Sequence, residues 1–198
     1  MCPGCSVKRG IVMIYIFLAE GFEEIEALAP LDLLRRAGLS VTTVGIGGEK
    51  IRGAHGIEVR ADWTDQDFMA FTASSGSAPF EMLVLPGGMP GTKHLDASVA
   101  VEKALRDAQK ADAFIAAICA APMILGKRGL LREKTAVCYP GFEEYLTGAT
   151  IGKAKVVRDG KIITAMGMGV AVDFGLALVE ALCGKDTAEK LRSSVIAG

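Results

Sequence analysis

The chain has 198 residues, 51% of them apolar, which is enough for one domain with a sizeable buried core. Its 22 basic and 23 acidic side chains leave a net charge of −1, and no basic stripe runs along it, so composition argues against nucleic acid or an anionic membrane as partner. The longest apolar stretches, Ile11 to Ala19 and Ala113 to Leu125, fall short of the roughly 18 residues of a membrane helix, and a soluble protein acting on small molecules or other proteins is expected.

Cys2-Pro3-Gly4-Cys5 is a C-x-x-C that precedes the first strand instead of sitting at a strand-to-helix turn. Residues 1–10 therefore read as a flexible extension and 11–198 as a single domain. Lys8 and Arg9 precede an apolar run in the manner of a signal peptide, but the run leads into Glu20, Glu23, Glu24 and Glu26 with no small-x-small cleavage site. A cytoplasmic protein is expected, with Cys2, Cys5, Cys119, Cys138 and Cys183 mainly as thiols. Buried strands are expected at Ile11 to Leu18, Val41 to Ile46, Met82 to Leu85 and Phe114 to Ile118, with helical patterns between several of them. That alternation predicts a mostly parallel sheet covered on both faces. The first helix should run from Phe22 to Ala37, kinked at Pro30 and stopped by Gly38, with Glu23 and Glu24 in its first turn and Arg35 and Arg36 in its last. A polar loop is expected at Thr72 to Pro79. A second helix should follow Asp96-Ala97-Ser98 over Val99 to Lys110, and a third should span Val170 to Leu182. Lys155 to Ala165 reads as a hairpin turning at Asp159-Gly160 with type I′ geometry.

Cys119 stands where the strand Ala113 to Ile118 enters a helix opened by Ala120-Ala121-Pro122. A thiol at a helix N-terminus meets unpaired N–H groups, which predicts a lowered pKa and a reactive thiolate; the alternative is a small hydrophobe in the core. Glu26 has Phe22, Ala29, Pro30 and Leu33 as helical neighbours, so its carboxyl lies within an apolar face. Burial there favours the protonated form, which can donate a hydrogen bond or act as an acid; the alternative is a Glu that snorkels to solvent from the edge of the face. Leu85-Pro86-Gly87-Gly88-Met89-Pro90-Gly91 follows a buried strand, and its glycines either free backbone N–H groups to meet a ligand or form an ordinary tight turn. It lacks the Lys-Ser/Thr of a P-loop, and Gly167-Met168-Gly169-Val170-Ala171-Val172 lacks the last glycine of a dinucleotide fingerprint.

Five segments taken together resemble the DJ-1/PfpI superfamily, most closely its DJ-1 (ThiJ-like) branch. They are Leu18-Ala19-Glu20-Gly21-Phe22-Glu23-Glu24-Ile25-Glu26, Leu33-Leu34-Arg35-Arg36-Ala37-Gly38, Val84-Leu85-Pro86-Gly87-Gly88, Ala116-Ala117-Ile118-Cys119-Ala120-Ala121-Pro122 and Asp173-Phe174-Gly175-Leu176-Ala177. The resemblance covers about residues 10 to 195. It implies a flavodoxin-like three-layer α/β sandwich of the class I glutamine amidotransferase type, a nucleophile elbow and a homodimer. It also implies Cys119 as the reactive cysteine, Glu26 as the carboxyl bonded to it, Gly88 and Ala120 as backbone donors, and Arg36 as an auxiliary residue of the dimer and active-site region. Neither a cofactor nor a metal is implied. This chain has Tyr139-Pro140 where well-known members carry His-Pro, so Tyr139 is a further auxiliary candidate, as a hydrogen-bond donor. Ala120 stands where the protease-like branch has a His, which removes that dyad. Two functions follow as expectations. One is a glyoxalase or deglycase acting on methylglyoxal-like dicarbonyls or their protein adducts. The other is an oxidative-stress sensor or chaperone that works through oxidation of Cys119.

Overall fold

The structure is a computed structural model that describes residues 13–74 and 80–198; the C-x-x-C, the start of the first strand and most of the expected polar loop lie outside them. In chain order the elements are β1 (Met13–Leu18), α1 (Glu24–Arg36), β2 (Val41–Gly45), β3 (Lys50–Arg52), β4 (Glu58–Arg60), β5 (Trp63–Thr64), α2 (Asp65–Ser74), β6 (Phe80–Leu85), α3 (Gly91–Ala97), α4 (Val99–Lys110) and β7 (Phe114–Ile118). There follow α5 (Pro122–Lys127), β8 (Thr135–Ala136), β9 (Thr150–Ile151), β10 (Val156–Asp159), β11 (Ile162–Ala165), α6 (Ala171–Cys183) and α7 (Lys185–Ser194). Seven strands form one sheet in the order β10-β11-β7-β6-β1-β2-β5, parallel except for β10 against β11. Among the described residues no helix is long and apolar enough to cross a membrane.

Every residue of β1 is buried, because helices cover both faces of the sheet. Side chains alternate across it: Tyr15 and Phe17 pack with Phe68, Leu95, Leu105 and Leu125 of α2 to α5, whereas Ile14, Ile16 and Leu18 pack with Leu34, Phe174 and Leu191 of α1, α6 and α7. Ile16, Val84 and Ala116 lie in register across β1, β6 and β7, so the carboxyl ends of these strands open onto one edge. Ligand sites of open α/β sheets lie outside such an edge.

Several local expectations need correction. α1 starts at Glu24, two residues after the expected Phe22, and carries Pro30 inside it. Pro30 is buried against α6, where Gly175 admits it: a Cβ there would lie 3.0 Å from Pro30 Cα and 2.6 Å from Leu33 Cδ1. Helix-to-helix packing thus holds together what the missing N–H weakens. Thr72 to Ser74, expected in a loop, are the last residues of α2. The late hairpin pairs Asp159 with Ile162, so its turn residues are Gly160 and Lys161. Only Gly160 of the two has positive φ, 62°, which is the pattern of a type II′ turn rather than I′. The short strands β3, β4, β5, β8 and β9 carry too few residues for alternation to show in sequence.

Candidate active site

Cys119 is the first residue beyond β7, and its φ of 65° puts it in the left-handed region. For a residue with a Cβ this costs about 1–3 kcal/mol, and it persists where the surroundings over-determine it. Here they do: Cys119 N–H donates to Ala165 O (2.9 Å) at the end of β11, and Cys119 O accepts from Tyr139 N (2.8 Å). Ala120 and Ala121 are buried in the turn, where larger side chains would meet the core. The sharp turn leaves the thiol part-exposed above the sheet edge.

Glu26 reaches the same edge from the first turn of α1, where Glu23 is the N-cap and its Oε2 accepts from Glu26 N at 2.7 Å. The Glu26 side chain is 1% exposed. Its Oε2 accepts from Gly87 N at 2.9 Å, Met168 N–H also donates to the carboxyl, and carboxyl and thiol are hydrogen-bonded to each other. Gly87 sits between the two groups, since a Cβ on it would lie 2.6 Å from both Cys119 Cβ and Glu26 Oε2. Burial pushes Glu26 from 4.5 up to about 7, with the charge of Glu23 adding to it, against the lowering effect of the Cys119, Gly87 and Met168 hydrogen bonds.

The expectation of a thiol with lowered pKa is overturned. Burial, the Glu26 charge and the bond to Glu26 push Cys119 from 9.0 up to about 12, against the lowering effect of the Ala120 and Gly88 N–H groups. The two backbone donors do face the sulfur, but α5 has only 6 residues and does not outweigh a buried carboxylate. Two of the three raising causes vanish when Glu26 holds the proton. The carboxyl and thiol therefore titrate as one pair that shares a proton. Access, not thiolate fraction, then separates Cys119 from Cys138, whose thiol is 3% exposed and is pushed up to about 11, mainly by burial. With limiting iodoacetamide at neutral pH, Cys119 is expected to be alkylated before the buried Cys138; mass spectrometry showing Cys138 modified and Cys119 intact would overturn that order.

Arg36 does not join this group. It lies ten residues beyond Glu26 on α1, or ~15 Å along the axis at 1.5 Å per residue, and its Nε pairs with Asp32 at 2.6 Å in a separate groove beside Asp173. Tyr139 does flank the site: its ring lies 3.2 Å from where a Gly167 Cβ would be, and that position is 3.9 Å from Glu26 Oε1. Glu24, in the first turn of α1, is 2% exposed. It accepts from His55 N (2.8 Å), His55 Nδ1 (2.9 Å) and Ile57 N (3.4 Å) of the β3–β4 connection. Burial opposes its charge, yet these bonds hold the carboxyl below its ordinary range. Glu23, Glu24 and His55 bring three donor atoms within 4.8 Å of one another. Both Glu24 oxygens are already engaged by His55 and Ile57, which leaves a weak set for a metal. Sequence reasoning missed the Gly87 and Met168 donors, although both lie in the glycine-containing loops it had singled out.

A profile of the DJ-1/PfpI family matches residues 12–181. The chain is 34% identical over 184 residues to protein dj-1beta of Drosophila melanogaster, covering 91% of this chain and 95% of that protein. It is 30% identical over 174 residues to the glutathione-independent glyoxalase DJR-1.2 of Caenorhabditis elegans, covering 87% and 89% of the two chains. The solved structure of oxidised Toxoplasma gondii DJ-1 superposes with a TM-score of 0.85 at 33% identity, covering 93% of this chain and 98% of that one. A flavodoxin-like sandwich, an elbow cysteine above its sheet edge and a match of this extent agree, and the chain belongs to the DJ-1/PfpI family.

Proposed function

We propose that the chain is a cofactor-independent glyoxalase that converts 2-oxoaldehydes such as methylglyoxal into 2-hydroxy acids through Cys119. One observation carries the reading: a buried carboxyl whose pKa is pushed up to about 7 shares a hydrogen bond with a thiol at a left-handed elbow, under the Gly88 and Ala120 N–H groups. The name of the C. elegans relative supports the reaction class. The Cys119 sulfur adds to the aldehyde carbon, the carbonyl π electrons move to oxygen, and that oxygen takes the proton the pair held. The Gly88 and Ala120 N–H groups stabilise the charge while it develops. Glu26 then removes the proton from C1, the hydroxyl proton on O1 passes to O2 through the enediol, and Glu26 returns its proton to C2, turning the hemithioacetal into a thioester. Water hydrolyses the thioester, releasing the 2-hydroxy acid and restoring the thiol. Purified protein given methylglyoxal is expected to form lactate, and Cys119→Ala none; equal rates for the two proteins would overturn the reading.

Tyr139 is 51% exposed, and a phenol donates a hydrogen bond but does not replace an imidazole base. Turnover is therefore expected to be slow. Tyr139→His should raise kcat about tenfold by adding a group that titrates near 6.5, and Tyr139→Phe should lower it less than threefold. Steady-state kinetics on the three proteins checks this, and abolition by Tyr139→Phe would make the tyrosine essential.

The missing imidazole favours a second reading, in which peroxide oxidises Cys119 to sulfenic and then sulfinic acid as a stress signal, whether for a sensor or for a chaperone. The same N–H groups and a protonated Glu26 would hold the sulfinate oxygens. The family resemblance also carries a homodimer. Exposed Ile25 on α1, and Ile57, whose N–H reaches Glu24, supply an apolar patch for it, and sedimentation velocity is its test.

A further inference from the structure

Beside the Cys119–Glu26 pair lies an open pocket of about 340 Å³ with Tyr139, Pro140, Met166, Met168 and Val170 in its walls and Lys155 among its lining residues. Its walls adjoin the reacting groups. Tyr139 N–H is bonded to Cys119 O, Met168 N–H donates to the Glu26 carboxyl, and Gly167 lies between. The absence of a side chain at Gly167 matters. Its backbone is extended (φ 163°), so any residue could adopt it, but a Cβ would enter the gap between the Tyr139 ring and Glu26 Oε1, at 3.2 Å and 3.9 Å. Gly167 therefore puts no side chain between the Tyr139 wall of the pocket and the carboxyl.

We propose that this pocket binds the substituent of the substrate, and that the preferred substrates are 2-oxoaldehydes carrying an aryl or branched alkyl group rather than methylglyoxal itself. The inference rests on the glyoxalase reading for its reaction and on the pocket for its selectivity. With the aldehyde carbon at the sulfur and its oxygen under the Gly88 and Ala120 N–H groups, the ketone carbon lies toward Glu26, and the group attached to it projects past Gly167. A methyl group leaves most of 340 Å³ to water. A phenyl ring displaces that water against the Tyr139 ring and two thioethers, which adapt to its shape and make favourable contacts with aromatic rings. Met168, 53% exposed, gains cover in the process.

Two measurements on the intact protein test this. The first compares kcat/KM for phenylglyoxal and methylglyoxal, with each value divided by the compound's rate of reaction with free glutathione. A ratio of about ten is expected, the scale on which hydrophobic pockets discriminate by added apolar groups. The second compares alkylation of Cys119 by N-cyclohexylmaleimide and N-methylmaleimide, normalised in the same way, and needs only the thiol. There too the bulky reagent should be favoured several-fold. Met168→Glu should bring both ratios close to one, and Met168→Leu should keep them. A high maleimide ratio in a protein that turns over neither oxoaldehyde would overturn the glyoxalase reading and support the pocket. Methylglyoxal turnover with ratios of one in both assays would overturn the pocket alone. Ratios unchanged by Met168→Glu would place the selectivity elsewhere and also overturn it.

Discussion

Replacing Glu26 with glutamine is expected to slow lactate formation from methylglyoxal by about 10²- to 10³-fold while making the protein more stable above neutral pH. The rate loss follows from the proton that Glu26 shares with Cys119, since acid–base catalysis by a placed side chain contributes ~10²–10⁴-fold. Glutamine keeps the volume and the acceptor for Gly87 N–H (2.9 Å in the wild type) but cannot carry a proton between C1 and C2. In the wild type kcat/KM should rise with pH until the pair has lost its first proton near 7, then level off. In Glu26→Gln the thiol must ionise alone, so the rising limb should move to higher pH.

The stability gain has a definite sign. Below pH 4.5 the carboxyl is protonated in folded and unfolded chains alike, so its burial costs little. Between 4.5 and about 7 the unfolded chain releases the proton while the fold retains it, and stability falls as pH rises. Above that range the folded protein carries a buried carboxylate. At 1.36 kcal/mol per pH unit the loss is about 3 kcal/mol as an order of magnitude. Urea unfolding at pH 5 and pH 8 should therefore show Glu26→Gln gaining on wild type between the two. A constant difference would mean that Glu26 titrates normally and does not share the thiol's proton.

Gly88→Ala is expected to lose about 2–5 kcal/mol and all Cys119-dependent turnover. Gly88 has φ of 88°, a conformation that costs a residue with a Cβ about 1–2 kcal/mol. The added atom would also press against Glu23 N and lie 2.7 Å from Gly21 O, backbone that has no room to give, because Glu23 N–H donates to Gly87 O (3.0 Å) and Glu23 caps α1. Overpacking of this kind costs ~1–3 kcal/mol. Any relaxation must lift the loop off α1, and with it the Gly88 N–H off the sulfur. Thermal and urea melts measure the first effect and methylglyoxal kinetics the second. A stable, active Gly88→Ala protein would show that the donor at this position is dispensable.

Features written in local spacing were legible before the fold was known. α4 begins after Ser98, whose hydroxyl accepts from Val101 N, and spans Val99–Lys110 as its pattern predicts. β7 and the carboxyl of Glu26 within an apolar helical face follow from periodicity, because burial of a continuous face is repeated every 3.6 or 2 residues. The elbow at Cys119 was likewise legible from an apolar strand meeting small residues and a proline. Other features were decided only where distant segments meet. The Gly87 N–H on Glu26 comes from 61 residues away, and Glu24 turns inward because His55 and Ile57 arrive from the β3–β4 connection to satisfy it. The thiol's pKa changed direction for the same reason: the local helix end favours the charged sulfur, but burial and a carboxylate brought in on another helix oppose it more strongly. Arg36 shares a helix with Glu26, yet the rise of that helix carries it away from the thiol, a separation that a one-dimensional motif does not express.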